Sequence, residues 1–336
     1  MTSAGELQPH TVESTWSTEL EAAYRAAFES ALCVLHPPPG LIRVEGSHRL
    51  DLLHRMSTND LIDLPAGSIR ATVLTTPLAR IVDRVWVWAA EDHLLLLTGP
   101  HRAETVSHWL RRHIFFQDDV QLKQEQEDWT LWGLYGPAAW EEAARIFPEV
   151  TRPAGGVATA IDGGLYWALD APAAGGLRLL LDPSSSLRAD AAWNERNAGS
   201  LAWQAYEIHR VEAGLAETGH EILEDYIPLE VGLEHDVSFT KGCYIGQEII
   251  ARMESRGRRA RSLLGVRLAA GVPELATVSQ GAQTVGTVTS VAKSPRLGWV
   301  ALAVVRPTAL ESENGRVTVG QDRVAGELVE LPFAAS

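Results

Sequence analysis

The octapeptide Lys-Gly-Cys-Tyr-Ile-Gly-Gln-Glu at residues 241–248 is the most informative stretch of the chain. It places Cys243 two residues after a lysine and just before apolar positions spaced four apart, which predict a helix over residues 245–257. An ammonium group and the positive end of a helix dipole both favour a thiolate, so the pattern predicts a reactive Cys243 supported by Lys241. The alternative is an inert core thiol, because free cysteine is among the most buried residue types.

Two further side chains of the octapeptide suit ligand binding. Tyr244 and Gln247 carry groups that hydrogen-bond a heteroaromatic ligand. Gly242 and Gly246 allow tight backbone turns beside them. The octapeptide therefore predicts a binding site as well as a thiol.

Composition limits the classes of function. The chain has 336 residues, 46% hydrophobic and 21% charged, which is typical of a soluble globular protein with two or three domains. A net charge of -14 argues against direct nucleic-acid binding. Two cysteines, Cys33 and Cys243, are too few for a four-thiolate zinc or iron-sulfur site, so no metal site is predicted. With no apolar run of membrane length and a polar start, we expect no membrane contact, no export and a cytoplasmic location.

The order of predicted elements is mixed at first and all-β at the end. Residues 1–17 predict a flexible lead, and Thr18 with Glu21 predicts the start of a helix that continues through Leu32 to the prolines at 37–39. Residues 80–98 predict a hairpin with tryptophans on one face, and Gly99-Pro100 predicts the start of the next helix. Beyond residue 257, short apolar runs about ten residues apart predict a small β-barrel or sandwich.

Polar residues outside the octapeptide give two more candidate positions. Glu207 and Arg210 lie three apart on a predicted helix, so they form either an ordinary ion pair or an arginine held ready for a ligand carboxylate. Asn59 and Asp60 end another predicted helix. A Cys-His nucleophilic pair also stays open, since His209, His220 and His235 lie upstream of Cys243, although no spacing brings any of them to it.

The chain resembles the folate-binding YgfZ family, relatives of the glycine-cleavage aminomethyltransferase (T-protein, GcvT) that act in iron-sulfur cluster assembly or repair. The octapeptide matches the family's Lys-Gly-Cys-Tyr-x-Gly-Gln-Glu at every fixed position. Residues 210–214 resemble the superfamily's Arg-x-Glu-x-Gly, residues 46–60 its glycine-helix-Thr-Asn-Asp start, and residues 285–303 its C-terminal barrel.

The resemblance implies a fold and a site. The fold is α+β, a three-lobed ring with two N-terminal α+β lobes and a C-terminal β-barrel. The implied domains are a folate-binding region at 18–257, with its second lobe inserted at about 75–155, and the barrel at 258–333. A tetrahydrofolate would bind near Cys243, with Arg210 receiving an anionic part of it and Asn59 and Asp60 hydrogen-bonding from the wall; Glu207, Tyr244 and Gln247 complete the implied ligand contacts.

Two departures from the family pattern bear on activity. The turn at residues 76–80 has Ala79 where the family often has glycine. Aminomethyltransferases use an aspartate near the start of the helix after the second hairpin strand, and residues 99–104 contain no aspartate. The second departure argues against ordinary aminomethyl transfer.

Three hypotheses follow from these observations. The first is a monomeric, tetrahydrofolate-binding accessory protein that serves iron-sulfur client or assembly proteins through Cys243. The second is a folate-dependent aminomethyl- or methyltransferase similar to T-protein. The third is a scaffold that has kept the fold without a folate site.

Overall fold

The computed structural model describes residues 17–125, 128–169, 175–197, 200–257 and 259–333. Within these residues the chain is α+β and ends in a closed β-barrel, so the predicted fold class is confirmed. The predicted flexible lead lies outside the described residues except for Ser17. Among the described residues, no helix combines the length and the apolar character needed to cross a membrane.

The elements alternate between short strands and helices of one to four turns. In chain order they are α1 (Thr18–Glu29), β1 (Leu32–His36), β2 (Pro39–Glu45), α2 (Arg49–Met56), β3 (Ile69–Thr75), β4 (Ile81–Ala89), β5 (His93–Pro100), α3 (Ala103–Arg111), β6 (Gln121–Gln124), β7 (Thr130–Tyr135), α4 (Ala139–Ile146), β8 (Ala158–Ile161), β9 (Gly164–Leu169), β10 (Gly176–Leu181), α5 (Pro183–Asn197), α6 (Ser200–Ala213), α7 (Gln247–Arg256), β11 (Ser262–Leu268), β12 (Thr277–Gln280), β13 (Gln283–Ser294), β14 (Gly298–Val305), α8 (Thr308–Glu311), β15 (Arg316–Val319) and β16 (Val324–Val329).

The chain divides into two compact units. Residues 18–206 and 216–258 form the first, here named the sheet unit, and residues 207–215 and 259–333 form the second, named the barrel unit. The octapeptide belongs to the sheet unit, whereas the last turns of α6, from Glu207 onward, belong to the barrel unit.

The first sheet of the sheet unit has the strand order β3-β4-β5-β2-β6. Alternation along β4 explains its two faces: Val85 and Val87 point into a core with α2 and α3, whereas Trp86 and Trp88 point to the opposite side. Both faces of the hairpin are apolar because both are covered. The hairpin predicted over residues 80–98 is therefore confirmed as β4 and β5.

The second sheet has the order β1-β7-β10-β9-β8, and α4 and α5 cover one of its faces. Its other face packs against the first sheet through a shared core that includes Leu97, Leu131, Trp167 and Leu180. The sheet unit is thus built as four layers, helices, sheet, sheet and helices. This arrangement buries the side chains that alternate towards the middle of the unit.

The barrel closes through six strands in the order β11-β14-β13-β12-β15-β16. Val266 of β11 is paired with Ala301 of β14 on one side and with Leu328 of β16 on the other. Small and branched side chains fill the interior, as expected for a barrel of this size. The prediction of a β-barrel at the end of the chain is confirmed, with the short helix α8 inserted between β14 and β15.

Three local predictions were wrong. The first helix ends at Glu29, and Leu32 lies in β1 instead, paired with Tyr135 of β7. Pro100 ends β5, and α3 begins at Ala103. The helix of the octapeptide begins at Gln247, so it starts four residues after Cys243 and leaves Ile245 outside.

Candidate functional site

The octapeptide is held on the carboxyl end of α2 by Lys241. Helix carbonyls at this end lack intrahelical partners. The Lys241 ammonium donates to the carbonyl oxygens of Ser57 at 2.8 Å and Asn59 at 2.6 Å, and also to that of His54. Three protons of one ammonium thereby meet three backbone acceptors. The lysine acts here as a cap of α2.

Burial shapes the electrostatics around this lysine. Lys241 is 8% exposed, and burial lowers its pKa to about 8, opposed by the charge of Asp60. The ammonium also lies 5.1 Å from the centroid of the Tyr244 ring, a cation–π distance. Burial raises the pKa of the Tyr244 phenol to about 12. The predicted ligand residue Tyr244 is thus packed in a core cluster with Ile227 and Ile250.

Backbone contacts fix the rest of the octapeptide. The N–H of Ile245 donates to the carbonyl oxygen of Arg55 at 3.1 Å, and the Thr75 hydroxyl donates to the carbonyl oxygen of Ile245 at 2.7 Å. Gly246 has a left-handed φ of 86°, and a Cβ there would lie 2.8 Å from the carbonyl oxygen of Thr76. Only glycine combines this backbone conformation with so close an approach. The loop is therefore a fixed part of the sheet unit.

Cys243 is exposed on this fixed loop, whereas Cys33 is buried in β1. The Lys241 ammonium faces carbonyls at the end of α2, and α7 begins only at Gln247, so support of the thiol by the lysine or by the helix dipole stays a prediction. The Gln247 side-chain amide donates to the carbonyl oxygen of Gly242 at 3.5 Å. The exposure of Cys243 contradicts the alternative that it is an inert thiol in the core.

His54, in the last turn of α2, also lies at the site, although it belongs to no sequence motif. A Cβ on Gly242 would lie 4.0 Å from Nε2 of His54, so this ring is next to the octapeptide. Its Nδ1 accepts the N–H of Leu61 at 3.2 Å and lies 3.2 Å from a carboxylate oxygen of Asp60. Burial and the charge of Lys241 lower the His54 pKa. We assign a neutral ring with its proton on Nε2, because Nδ1 accepts a backbone proton.

Asn59 and Asp60 lie near the Lys241 ammonium, shortly after Ser57 at the carboxyl end of α2. The Asn59 amide donates to the carbonyl oxygen of Ala71 at 2.9 Å, and its oxygen accepts the N–H of Asp60 at 2.9 Å. The Asp60 side chain is 44% exposed. Asp60 therefore offers a carboxylate to solvent beside Lys241 and His54, while the Asn59 side chain is used within the fold.

Glu207 and Arg210 lie in the other unit. Arg210 is 1% exposed; its Nη2 donates to a Glu207 carboxylate oxygen at 2.7 Å and to the Ser290 hydroxyl at 3.0 Å. Its Nη1 donates to the carbonyl oxygen of Leu215 at 3.1 Å. The i, i+3 pair that the sequence suggested is formed, with its arginine buried and its Glu207 side chain 23% exposed. A ligand role for either residue stays a prediction.

The turn with the unusual alanine keeps a glycine-like shape. Ala79 has a left-handed φ of 59°, and its N–H donates to the carbonyl oxygen of Thr76 at 2.8 Å. A non-glycine residue costs about 1 kcal/mol in this conformation. The turn packs directly against Gly246. This contact with the octapeptide explains why the turn keeps its left-handed conformation at Ala79.

Residues 99–104 contain no aspartate, but the buried carboxylate of Asp83, on another strand, contacts the start of this segment. Asp83 on β4 is 1% exposed, and it accepts the backbone N–H groups of Gly99 and Arg84, each at 3.0 Å. Burial raises its pKa to about 6, against the opposing effect of the Gly99 hydrogen bond. Asp83 lies 16 residues before Gly99, so inspection of residues 99–104 alone does not reveal it. An acidic residue inside the apolar alternation of β4 was the available signal.

Comparison with known proteins agrees with this fold. Residues 8–154 match the GCVT N-terminal domain, and residues 261–334 match the glycine cleavage T-protein C-terminal barrel domain. The chain belongs to the GcvT superfamily. The GcvT fold also appears in the crystal structure of the glycine cleavage system aminomethyltransferase T from Bartonella henselae, with a TM-score of 0.79, 20% identity and coverage of 94% of this chain and 90% of that one.

Relatives within the GcvT superfamily are similar over most of the chain. A putative chloroplastic transferase of Arabidopsis thaliana is 28% identical, over 88% of this chain and 69% of its own length. An aminomethyltransferase of Rubrobacter xylanophilus is 29% identical, over 88% of this chain and 80% of its own.

Proposed function

We propose that this GcvT-superfamily protein is a tetrahydrofolate-binding accessory protein in iron-sulfur cluster assembly or repair, with Cys243 as its working thiol. The observation that carries the proposal is an exposed cysteine on a loop fixed to α2 by a buried lysine. The full match of residues 241–248 to the YgfZ motif supports this reading over the other branches of the superfamily.

The chemistry assigned to Cys243 is transient metal ligation. The thiol releases its proton to solvent, and the thiolate donates an electron pair to an iron ion of a client cluster, with no change of oxidation state. The chain has two cysteines, and the second, Cys33, is buried. Cys243 would therefore serve a cluster that another protein holds, in the cytoplasm and as a monomer.

A reduced folate is the ligand we assign to the same protein. The relatives named as aminomethyltransferases support a folate-type ligand, since that chemistry uses tetrahydrofolate as the one-carbon acceptor. Within the sheet unit, Asp60 beside His54 and Gln247 beside Gly242 offer polar groups to this ligand. A ligand role for Asn59, Tyr244, Glu207 and Arg210 stays a prediction. Calorimetry with 5-formyltetrahydrofolate tests this part, because a scaffold without a folate site gives no heat of binding.

The thiol's role is tested by complementation. Cells lacking the native protein receive the wild type, Cys243→Ala or Cys33→Ala, and the activities of iron-sulfur enzymes are measured. We expect Cys33→Ala to restore them and Cys243→Ala to fail at equal protein levels. Full restoration by Cys243→Ala would remove the proposed role of the thiol.

A second candidate function is folate-dependent aminomethyl transfer. It is favoured by the buried carboxylate of Asp83, which lies at Gly99 with a pKa of about 6, suited to holding or accepting a proton near neutral pH. The test is tetrahydrofolate-dependent release of ammonia from an aminomethylated lipoyl carrier protein. Turnover that is lost in Asp83→Asn would favour this candidate over the accessory role.

A further inference from the structure

Two neighbouring aromatic side chains lie on the surface of the sheet unit, in residues 112–119, here named the aromatic loop. Phe115 is 58% exposed, and Phe116 is fully exposed. Single exposed apolar residues are ordinary, but an adjacent pair of rings forms a patch that gains free energy when a partner covers it. The pair therefore indicates an interaction surface.

Hydrogen bonds fix the shape of the aromatic loop. The N–H of Phe115 donates to the Asp118 carboxylate at 2.8 Å, and the N–H of Asp118 donates to the Phe115 carbonyl oxygen at 3.0 Å. The Asp119 carboxylate accepts the N–H of Ser47 at 2.9 Å, which ties the loop to the segment before α2. Because the loop is ordered in advance, binding at its rings requires little further loss of conformational entropy.

Arg55 of α2 joins the aromatic loop to the octapeptide. The carbon of its guanidinium lies 5.0 Å from the Phe115 ring centroid, and the guanidinium donates to the carbonyl oxygen of His113 at 3.2 Å. The Arg55 carbonyl oxygen accepts the N–H of Ile245 at 3.1 Å. One residue thus contacts both loops, so a partner on the aromatic loop lies next to the loop that carries Cys243.

The charged groups that stay available beside the rings are cations. The Asp118 carboxylate faces Arg55, and that of Asp119 accepts two hydrogen bonds from Ser47. Arg111 and Arg112 are exposed, and neither forms an ion pair with an Asp or Glu among the residues that the structure describes. In a chain of net charge -14, these two arginines can attract an acidic surface at close range.

These charges favour an acidic protein over two other occupants. A second copy of this chain, placed by two-fold symmetry, would bring the Arg111 and Arg112 side chains of both copies together, and like charges repel. An anionic membrane would meet a wide face of a chain whose net charge is -14. A protein partner needs to contact only the rings and the two arginines.

We propose that the aromatic loop is a docking surface for an acidic protein. Phe116 enters an apolar pocket of this partner, and Arg111 and Arg112 face carboxylates around the pocket. An aromatic centre with a charged rim is the usual organisation of a protein interface. The inference rests on the proposed function, under which the partner is the iron-sulfur client protein whose cluster Cys243 reaches.

The test measures binding to defined clients. The probes are the purified, cluster-loaded iron-sulfur enzymes whose activity falls in cells lacking the native protein, and biolayer interferometry gives Kd for the full-length wild type and each variant. We expect Phe116→Ser to raise Kd by about tenfold or more. Leu187→Ser, at a 71% exposed position of α5, is the matched control and should stay within about twofold. Arg112→Glu should also raise Kd, and high salt should reduce its effect.

Phe116→Ser is suited to this comparison because its side chain is fully exposed, so the substitution leaves the fold intact. Wild-type affinity in Phe116→Ser, or no binding of the wild type to any of these enzymes, would overturn the docking surface. Self-association of the wild type that is lost in Phe116→Ser would assign the loop to a second copy instead. Binding to phosphatidylglycerol vesicles that is lost in the same variant would assign it to a membrane instead.

The proposed function fails or stands by separate measurements. Calorimetry with 5-formyltetrahydrofolate and complementation by Cys243→Ala leave Phe116 unchanged. Phe116→Ser should bind folate and expose a reactive Cys243 as the wild type does. Full restoration by Cys243→Ala would remove the function assigned to the thiol, whereas client binding that depends on Phe116 would still support the docking surface.

Discussion

The Lys241 ammonium donates a hydrogen bond to the carbonyl oxygen of Ser57, the residue that caps the carboxyl end of α2, over 2.8 Å. The two residues are 184 positions apart in the chain. This bond, together with those to His54 and Asn59, ties the octapeptide to a helix of the first layer. The exposed position of Cys243 depends on it.

Lys241→Met should therefore destabilise the sheet unit. Hydrogen bonds to a charged group contribute about 1.5 to 3 kcal/mol, and three carbonyls lose their partner, so we expect a loss of about 2 to 4 kcal/mol in the free energy of unfolding. Urea unfolding followed by tryptophan fluorescence measures it. Lys123→Met, at an exposed pair with Glu45, is the control and should change stability by less than about 1 kcal/mol. Equal effects of the two substitutions would contradict the capping role.

Asp83 should give stability a distinct pH dependence. Its folded pKa of about 6 lies above the ordinary 3.8, so the folded protein binds more protons than the unfolded chain between these values. The stability from Asp83 is present in full below pH 3.8 and is lost as pH rises through about 6. Relative to Asp83→Asn, the wild type should lose about 2 to 3 kcal/mol between pH 4 and pH 7. A stability difference that does not vary with pH would show that the carboxyl has an ordinary pKa.

The two glycines of the octapeptide should respond differently to alanine. Gly246→Ala puts a Cβ 2.8 Å from the Thr76 carbonyl oxygen at a φ of 86°, whereas at Gly242 the nearest atom is 4.0 Å away. We expect Gly246→Ala to cost about 2 kcal/mol or more and Gly242→Ala to cost less than about 1 kcal/mol. Thermal unfolding of both variants checks this. A similar melting temperature for the two variants would argue against the close contact with the turn at residues 76–80.

The two cysteines should differ in reactivity in the native protein. Cys243 is exposed, and Cys33 is 3% exposed within the core of the second sheet. Titration with a disulfide reagent should modify one thiol quickly in the wild type and none quickly in Cys243→Ala, with Cys33 reacting only after unfolding. Fast modification of Cys243→Ala would mean that Cys33 is accessible.

The sequence predicts those parts of the fold that local pattern determines. Alternation in residues 85–89 gives β4, and regular apolar runs give β11 and β14. The strand β1 was missed because Leu32 continues an apolar helical side, and its identity as a strand depends on pairing with Tyr135, about a hundred residues later. β12 has no apolar run to mark it, because three of its four residues are polar.

Several residues of the candidate site could be predicted from the sequence, but the contacts that they make could not. The motif identifies Lys241 and Cys243, but the hydrogen bonds of the Lys241 ammonium to the end of α2 join residues more than 180 positions apart and have no local signal. Asp83 carries no local signature, because its surroundings come from Gly99 on another strand. Burial and pairing of charges arise only when distant segments meet.

The most direct test of the central claim, a folate protein working through Cys243, is a crystal structure with 5-formyltetrahydrofolate bound. The quantity to measure is the distance from the nearest ligand atom to Sγ of Cys243. We expect contact, at about 4 Å, with the octapeptide still attached to α2 through Lys241. A ligand bound well away from Cys243, or no bound ligand at saturating concentration, would contradict the account.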